Sequence, residues 1–428
     1  MMKTNRRRLL SGAAALFGAA QFGLNTSNHK AHAATVKGER KFLFFFAGGG
    51  WDATPLDPKF ASDGVSPVGG TDMDPDTVLG SVGNLSWSSG DDRPEMDRFF
   101  TRWGNKVSLI RGVNVHSAGH ETGMQWMMTG TSASQYPDWP TTLAAFGTGD
   151  YPMPHIVFGG PAYPGNQGAA LVRGGGGTLL NLIDGSIVGM SDVPGRVFPT
   201  PADSMMDAFV YEQAAAFAAT REGLGKTRAE DLLGNLERAM ELEGRRFEAG
   251  LGDTGSGMLD QAVMACELFR LGLSRCAMIG IPGGWDTHGG NQNVGMQMND
   301  LFGALSQLFE VLATTPGRDA PWLADEVVVV LASELGRTPK FNGAMGRDHW
   351  PYTSMLVGGA GVRGNRVFGA TDESFIALPS NYESGAPDDN GEIIGTENVG
   401  TALLKLGGLD PERHLPGVRP LDGLLRTS

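Results

Sequence analysis

Lys41-Phe42-Leu43-Phe44-Phe45-Phe46-Ala47, closed by Gly48-Gly49-Gly50-Trp51-Asp52, is the stretch whose reading decides the fold. Its apolar residues run without a polar alternation. That pattern belongs to a strand buried on both faces, at the centre of a sheet, ending in a glycine-rich loop. Two further segments read the same way, Glu326-Val327-Val328-Val329-Val330-Leu331-Ala332 and Cys276-Ala277-Met278-Ile279-Gly280-Ile281. Helical stretches lie between them. One spans Met258 to Leu271. Another runs from Gly295 to Thr314, with Met298, Leu301, Leu305, Leu308 and Leu312 at helical spacing. Strands alternating with helices predict an α/β protein with a mostly parallel central sheet and helices on both faces.

The chain has 428 residues, 41% hydrophobic and 19% charged, which is enough for one large domain and argues against disorder. The region Asp203 to Gly250 is rich in Ala, Glu, Arg and Leu without a strand signal, and reads as two helices forming a flank or cap. Gly159–Gly177 is dense in glycine and reads as a surface loop. A short GGWD recurs at 49–52 and 283–286, but nothing around it repeats.

The first residues hold Arg6-Arg7-Arg8, then Leu9-Leu10 and a short Ala- and Gly-rich apolar run, then Ala31-His32-Ala33. This reads as a twin-arginine export signal over residues 1–33, with a small-x-small cleavage site. The expected location is therefore periplasmic or secreted, without a stable membrane span after cleavage. Residues 1–33 hold five basic residues and no acid, so their removal takes the net charge from −13 to −18. An acidic mature chain disfavours a nucleic-acid partner. Cys266 and Cys276 are the two cysteines, either a disulfide or two buried thiols.

Ligands of open parallel sheets bind beyond the carboxyl ends of the strands. The first strand is followed by Trp51-Asp52. The segment after Ile281 reads Gly283-Gly284-Trp285-Asp286-Thr287-His288-Gly289-Gly290. The third strand is followed by Ser333-Glu334-Leu335-Gly336-Arg337-Thr338, and then by Gly346-Arg347-Asp348-His349-Trp350. Carboxylate and imidazole together suit a divalent ion such as zinc or manganese. Asp286 and His288, two apart in an extended loop, can both reach one ion. Adjacent Asp348 and His349 point to opposite faces in a strand, and in a loop one can orient the other. Asp52 taken alone is as readily a turn or cap residue, and Glu334 and Arg337 could simply pair. Asn114 to Gly123 contains His116, Ser117, His120 and Thr122 and leads to a helix expected to start near Met124. Ser117 and Thr122 are candidate nucleophiles or merely helix caps.

The leader, GGGWD, HSAGHETGMQWMMTG, GGWDTHGG, VVVVLASELGRTP and GRDHW together resemble the domain of unknown function 1501 family over residues 40–425. That family resembles a distant branch of the alkaline phosphatase and sulfatase superfamily. The resemblance implies an alkaline-phosphatase-like domain over 34–428 that binds a divalent metal (zinc, manganese or calcium) and hydrolyses phosphate or sulfate esters. It implies Asp52, Asp286, His288, Glu334, Asp348 and His349 as metal ligands. Arg337 would neutralise the transferred group, and His116 or His120 would act as ligand or general acid. Two positions depart from the pattern: Leu335 stands where a metal histidine is expected, and the nucleophile position falls near His120. The alternative is a secreted binding or assembly protein that keeps the fold without the chemistry. A dinucleotide-binding enzyme is disfavoured, because Gly48-Gly49-Gly50 lacks the spaced glycine fingerprint.

Overall fold

Every residue from Lys41 to Ala47 is buried, and the side chains divide alternately between two cores. Leu43, Phe45 and Ala47 face one; Phe42, Phe44 and Phe46 face the other. Each phenylalanine so buried contributes about 1.5–3 kcal/mol, which is why this strand takes the middle of the sheet. The computed structural model describes residues 38–59, 64–66, 68, 77–174, 187–190, 193–196, 201–243 and 257–426. The expected leader lies outside these residues.

Among the described residues the main sheet has eight strands: β1 (Lys41–Ala47), β2 (Val107–Asn114), β3 (His155–Val157), β4 (Leu171–Arg173), β5 (Cys276–Gly280), β6 (Val327–Ser333), β7 (Tyr352–Gly359) and β8 (Arg366–Phe368). Their order across the sheet is β8-β2-β7-β6-β1-β5-β3-β4. All neighbours are parallel except at β7, which runs against both β6 and β2. Lys41 lies opposite Val327 and Ala47 opposite Ser333. On the other side Phe42 lies opposite Cys276. The sheet is thus mostly parallel, as the three apolar runs predict.

Helices cover both faces. One face carries α1 (Pro94–Trp103), which contributes Phe99 and Phe100. The other carries α2 (His120–Thr129) and α3 (Trp139–Ala145). Residues 201–243 form α4 (Pro201–Ala219) and α5 (Gly223–Glu243). The first face is completed by α6 (Met258–Arg270) and α7 (Val294–Thr314), the second by α8 (Thr396–Leu406). Met298, Leu301, Leu305, Leu308 and Leu312 of α7 are buried together, as their spacing predicts. No helix among the described residues is long and apolar enough to cross a membrane.

Two expectations are corrected. The glycine-dense segment is not wholly a loop, because Leu171–Arg173 forms an edge strand paired with β3. The helix after the His116 segment begins at His120 rather than Met124, with Gly119 as its N-cap. The cysteine alternatives are also decided. Cys266 packs in one core and Cys276 in the other, so the sheet separates them and both remain free thiols. Burial pushes the Cys266 thiol up to about 12 and the Cys276 thiol up as well, which leaves both inert at neutral pH.

Candidate metal centre

The site sits at one edge of the sheet, where the carboxyl ends of β1, β2, β5 and β6 meet the start of the antiparallel β7. The loop after β1 is held down by Arg337. Its guanidinium donates from Nε to Gly50 O (2.6 Å), from Nη1 to Arg347 O (3.0 Å), and from Nη2 to Gly49 O and Asp286 Oδ1 (2.8 Å to the last). Gly50 has φ +76°, a backbone conformation in which any other side chain is strained, and a Cβ there would also press on Leu335 Cδ1, so this turn favours glycine. The loop after β5 packs backbone to backbone against the 342–348 segment. A Cβ on Gly346 would meet Thr287 O at 2.1 Å.

These loops bring together His120, Asp286 and His349. One ligand atom from each lies within 4.8 Å of the others. His120 Nε2 is 3.6 Å from Asp286 Oδ2, and the His120 and His349 ring centres are 4.2 Å apart. His288 stands beside them, with Nε2 3.4 Å from Asp286 Oδ1 and 2.9 Å from His349 Nε2.

The outward nitrogen of each ring faces an acceptor. His349 Nδ1 lies 2.7 Å from Ala118 O, His120 Nδ1 2.8 Å from Glu334 Oε1, and His288 Nδ1 3.0 Å from Asp348 Oδ1. A carbonyl or carboxylate oxygen can only accept, so each Nδ1 carries the hydrogen. In the neutral rings each Nε2 then presents a lone pair inward. Two such lone pairs, on His288 and His349, face each other at hydrogen-bonding distance. At that separation a proton between them makes the arrangement favourable. Imidazole lone pairs converging beside a carboxylate, each ring oriented by an acceptor on its other nitrogen, fit a divalent transition ion. Three protein ligands leave a coordination position open. Imidazole nitrogen suits a transition ion better than calcium, which takes six to eight oxygens.

Ionisation agrees with that assignment. Burial, opposed by the bond to Ala118, holds the His349 imidazolium below its ordinary value, so the ring is neutral near pH 7. Burial raises the Asp286 carboxyl, but the hydrogen bond and charge of Arg337, with His288 and His120, outweigh it and leave the pKa lowered. Hydrogen bonds from Asn342 and His288 lower that of Asp348.

The other sequence candidates are placed differently. Asp52 is buried with both oxygens in use. Oδ1 accepts from Thr54 N (2.9 Å) and Thr54 Oγ1 (2.8 Å). Oδ2 accepts from Asn291 Nδ2 (2.8 Å) and lies 2.9 Å from Arg347 Nε. It braces the loop and is not among the converging ligands. Glu334 and Asp348 lie against the outer nitrogens of His120 and His288 rather than in the converging set. Arg337 pairs with Asp286, not with Glu334. His116 has φ +58°, bonds both oxygens of Glu397 (3.1 and 3.0 Å) and packs on Trp126, apart from the cluster. Ser117 Oγ is engaged in its own turn, accepting from Gly119 N (3.0 Å). Thr122 is exposed on the first turn of α2. Trp51 and Trp285 are buried beneath the loops and meet edge to face. Sequence reasoning missed Ala118 O, which no side-chain pattern reveals, and Arg347 and Asn342, whose roles depend on a loop crossing.

Residues 203–382 match the model of the family described as Protein of unknown function (DUF1501). No curated protein matches the chain. Among solved structures, it is similar to a 2-O GAG sulfatase, at 11% identity over 91% of this chain and 74% of that one, TM-score 0.38. A sulfatase from Pseudoalteromonas sp. is similar at 10% identity over 98% and 76%, TM-score 0.36. The phosphonate monoester hydrolase of Agrobacterium radiobacter is similar at 11% identity over 90% and 77%, TM-score 0.35.

Proposed function

We propose that this chain is an exported, metal-dependent hydrolase of phosphate or sulfate esters. The observation that carries the reading is the convergence of His120, Asp286 and His349 within 4.8 Å, each imidazole backed by an acceptor on its outer nitrogen. A divalent ion held there supplies Lewis acidity, which polarises an ester oxygen and makes water acidic enough to attack at neutral pH. Glu334 and Ala118 O fix the ring planes. Arg337 fixes Asp286. His288, backed by Asp348 and 44% exposed, is placed to accept or return a proton at Nε2. The residues fit a single ion, because the carboxylate of Asp52 is already satisfied by Arg347, Thr54 and Asn291. The paired arginines and the Ala31-His32-Ala33 site support export from the cytoplasm, and the acidity of the mature chain disfavours a nucleic-acid partner.

A second reading, a binding or assembly protein that retains the fold, is favoured by the self-engaged Ser117 hydroxyl and by the buried Leu335. The two readings separate on a panel of aryl phosphate, phosphodiester and sulfate esters. Metal-loaded protein should hydrolyse at least one of them, with loss of roughly 100-fold or more in Asp286→Ala and His349→Ala. Equal rates in parent and variants, or none in metal-loaded parent, would support the binding reading.

A further inference from the structure

We propose that the preferred substrate is an oxyester carrying one negative charge, a phosphodiester or a sulfate monoester, rather than the doubly charged phosphate monoester; this rests on the hydrolase reading above. The argument is the commitment of the cations around the centre. The Arg337 side chain is fully buried. Its guanidinium serves three backbone carbonyls and Asp286, so it holds the ligand loop and does not face a substrate. Arg347 is equally buried. It donates to Thr338 O, Pro339 O and Ser66 O, with Asp52 at 2.9 Å. Both arginines thus point into the protein.

What faces outward is acidic. Asp286 is 49% exposed and Asp348 57% exposed, with Glu334 behind His120. One divalent ion and Arg337 together only balance these three carboxylates. Beyond them the strongly acidic chain adds a repulsive field, which is screened by salt. A singly charged ester enters a centre with no surplus positive charge. A doubly charged one doubles the repulsion, and among the described residues the guanidinium that acts on these carboxylates, Arg337, is already engaged with Asp286. In the reaction, a water oxygen bonds to phosphorus or sulfur as the bond to the ester oxygen breaks. One water proton ends on the departing oxygen, and the other is released to solvent with the product anion.

The test uses metal-loaded full-length protein at pH 8, where phosphate monoesters are dianions. The kcat/KM values for bis(p-nitrophenyl) phosphate, p-nitrophenyl sulfate and p-nitrophenyl phosphate are compared at low and high salt. Equilibrium binding of dimethyl phosphate and methyl phosphate is measured in parallel. At least one singly charged ester should exceed the monoester roughly tenfold at low salt, and dimethyl phosphate should bind more tightly than methyl phosphate. Both gaps should narrow as salt rises and in Asp348→Asn, which removes one exposed charge. The arms also separate phosphodiester from sulfate. Faster turnover or tighter binding of the doubly charged ligand would overturn this inference alone. Failure to hydrolyse any ester would overturn the hydrolase reading on which it rests.

Discussion

At the scale of single residues, the proposed site turns on which groups converge and which hold the converging groups in place. The sequence points to the loops that meet here, because Asp286-Thr287-His288 and Asp348-His349 follow the strand ends. It does not divide the roles. Asp348 and His349 meet His288 from its two sides, Asp348 at Nδ1 and His349 at Nε2, and His349 also packs against His120. Asp52 looks like a ligand by position, yet Arg347, ten residues beyond Arg337, fills its place as counter-ion. The roles predict opposite phenotypes. Asp52→Asn should destabilise the fold by about 3–5 kcal/mol in denaturant unfolding, since it removes a buried carboxylate charge that lies 2.9 Å from the buried Arg347 guanidinium. Glu334→Gln should instead leave the unfolding midpoint nearly unchanged and weaken metal binding about 10–100-fold, as loss of a group that orients a ligand does. Weakened metal binding in a fully stable Asp52→Asn protein would return Asp52 to the ligand set.

At the scale of elements, the legible parts are those with two-sided burial or helical spacing. β1, β5 and β6 announce themselves because nearly every position is buried, and α7 because its buried residues recur at helical spacing. β4 does not, since Leu171–Arg173 is three residues long and flanked by glycine. The start of α2 was displaced because Gly119, without a capping side chain, serves as its N-cap. One element junction also governs acid stability. At the start of α3, Asp138 caps Thr141 and its Oδ1 lies 4.0 Å from His155 Nδ1 of β3, both fully buried. Burial lowers the His155 pKa to about 3, so the stability it contributes is present above about pH 6.5 and is lost as pH falls toward 3. Burial raises the Asp138 pKa to about 6, so its contribution is present below about pH 4 and is lost as pH rises through 6. Between these limits the two effects oppose each other. Asp138→Asn keeps a capping side chain and removes one of them. Its stability should therefore fall on acidification from pH 6 to 4 by up to about 1.4 kcal/mol per pH unit more than the parent. Parallel urea midpoints across that range check this, and parallel slopes in the two proteins would contradict it.

At the scale of the whole molecule, one sheet with two cores explains both the stability and the place of the site. The parallel strands gather their carboxyl ends on one edge, and the single antiparallel strand β7 delivers His349 to that edge from the other direction. That reversal is a long-range pairing, which no local pattern encodes, and it is why the sequence groups the converging residues only loosely. The central claim is that this edge is a one-metal centre. The most direct test is elemental mass spectrometry of protein exported by its native host and purified without chelators. About one equivalent of a divalent transition ion, lost in His349→Ala and Asp286→Ala but kept in Asp52→Asn, is the outcome expected of His120, Asp286 and His349 as ligands. Folded protein with no bound metal, or metal retained when either ligand is removed, would contradict it.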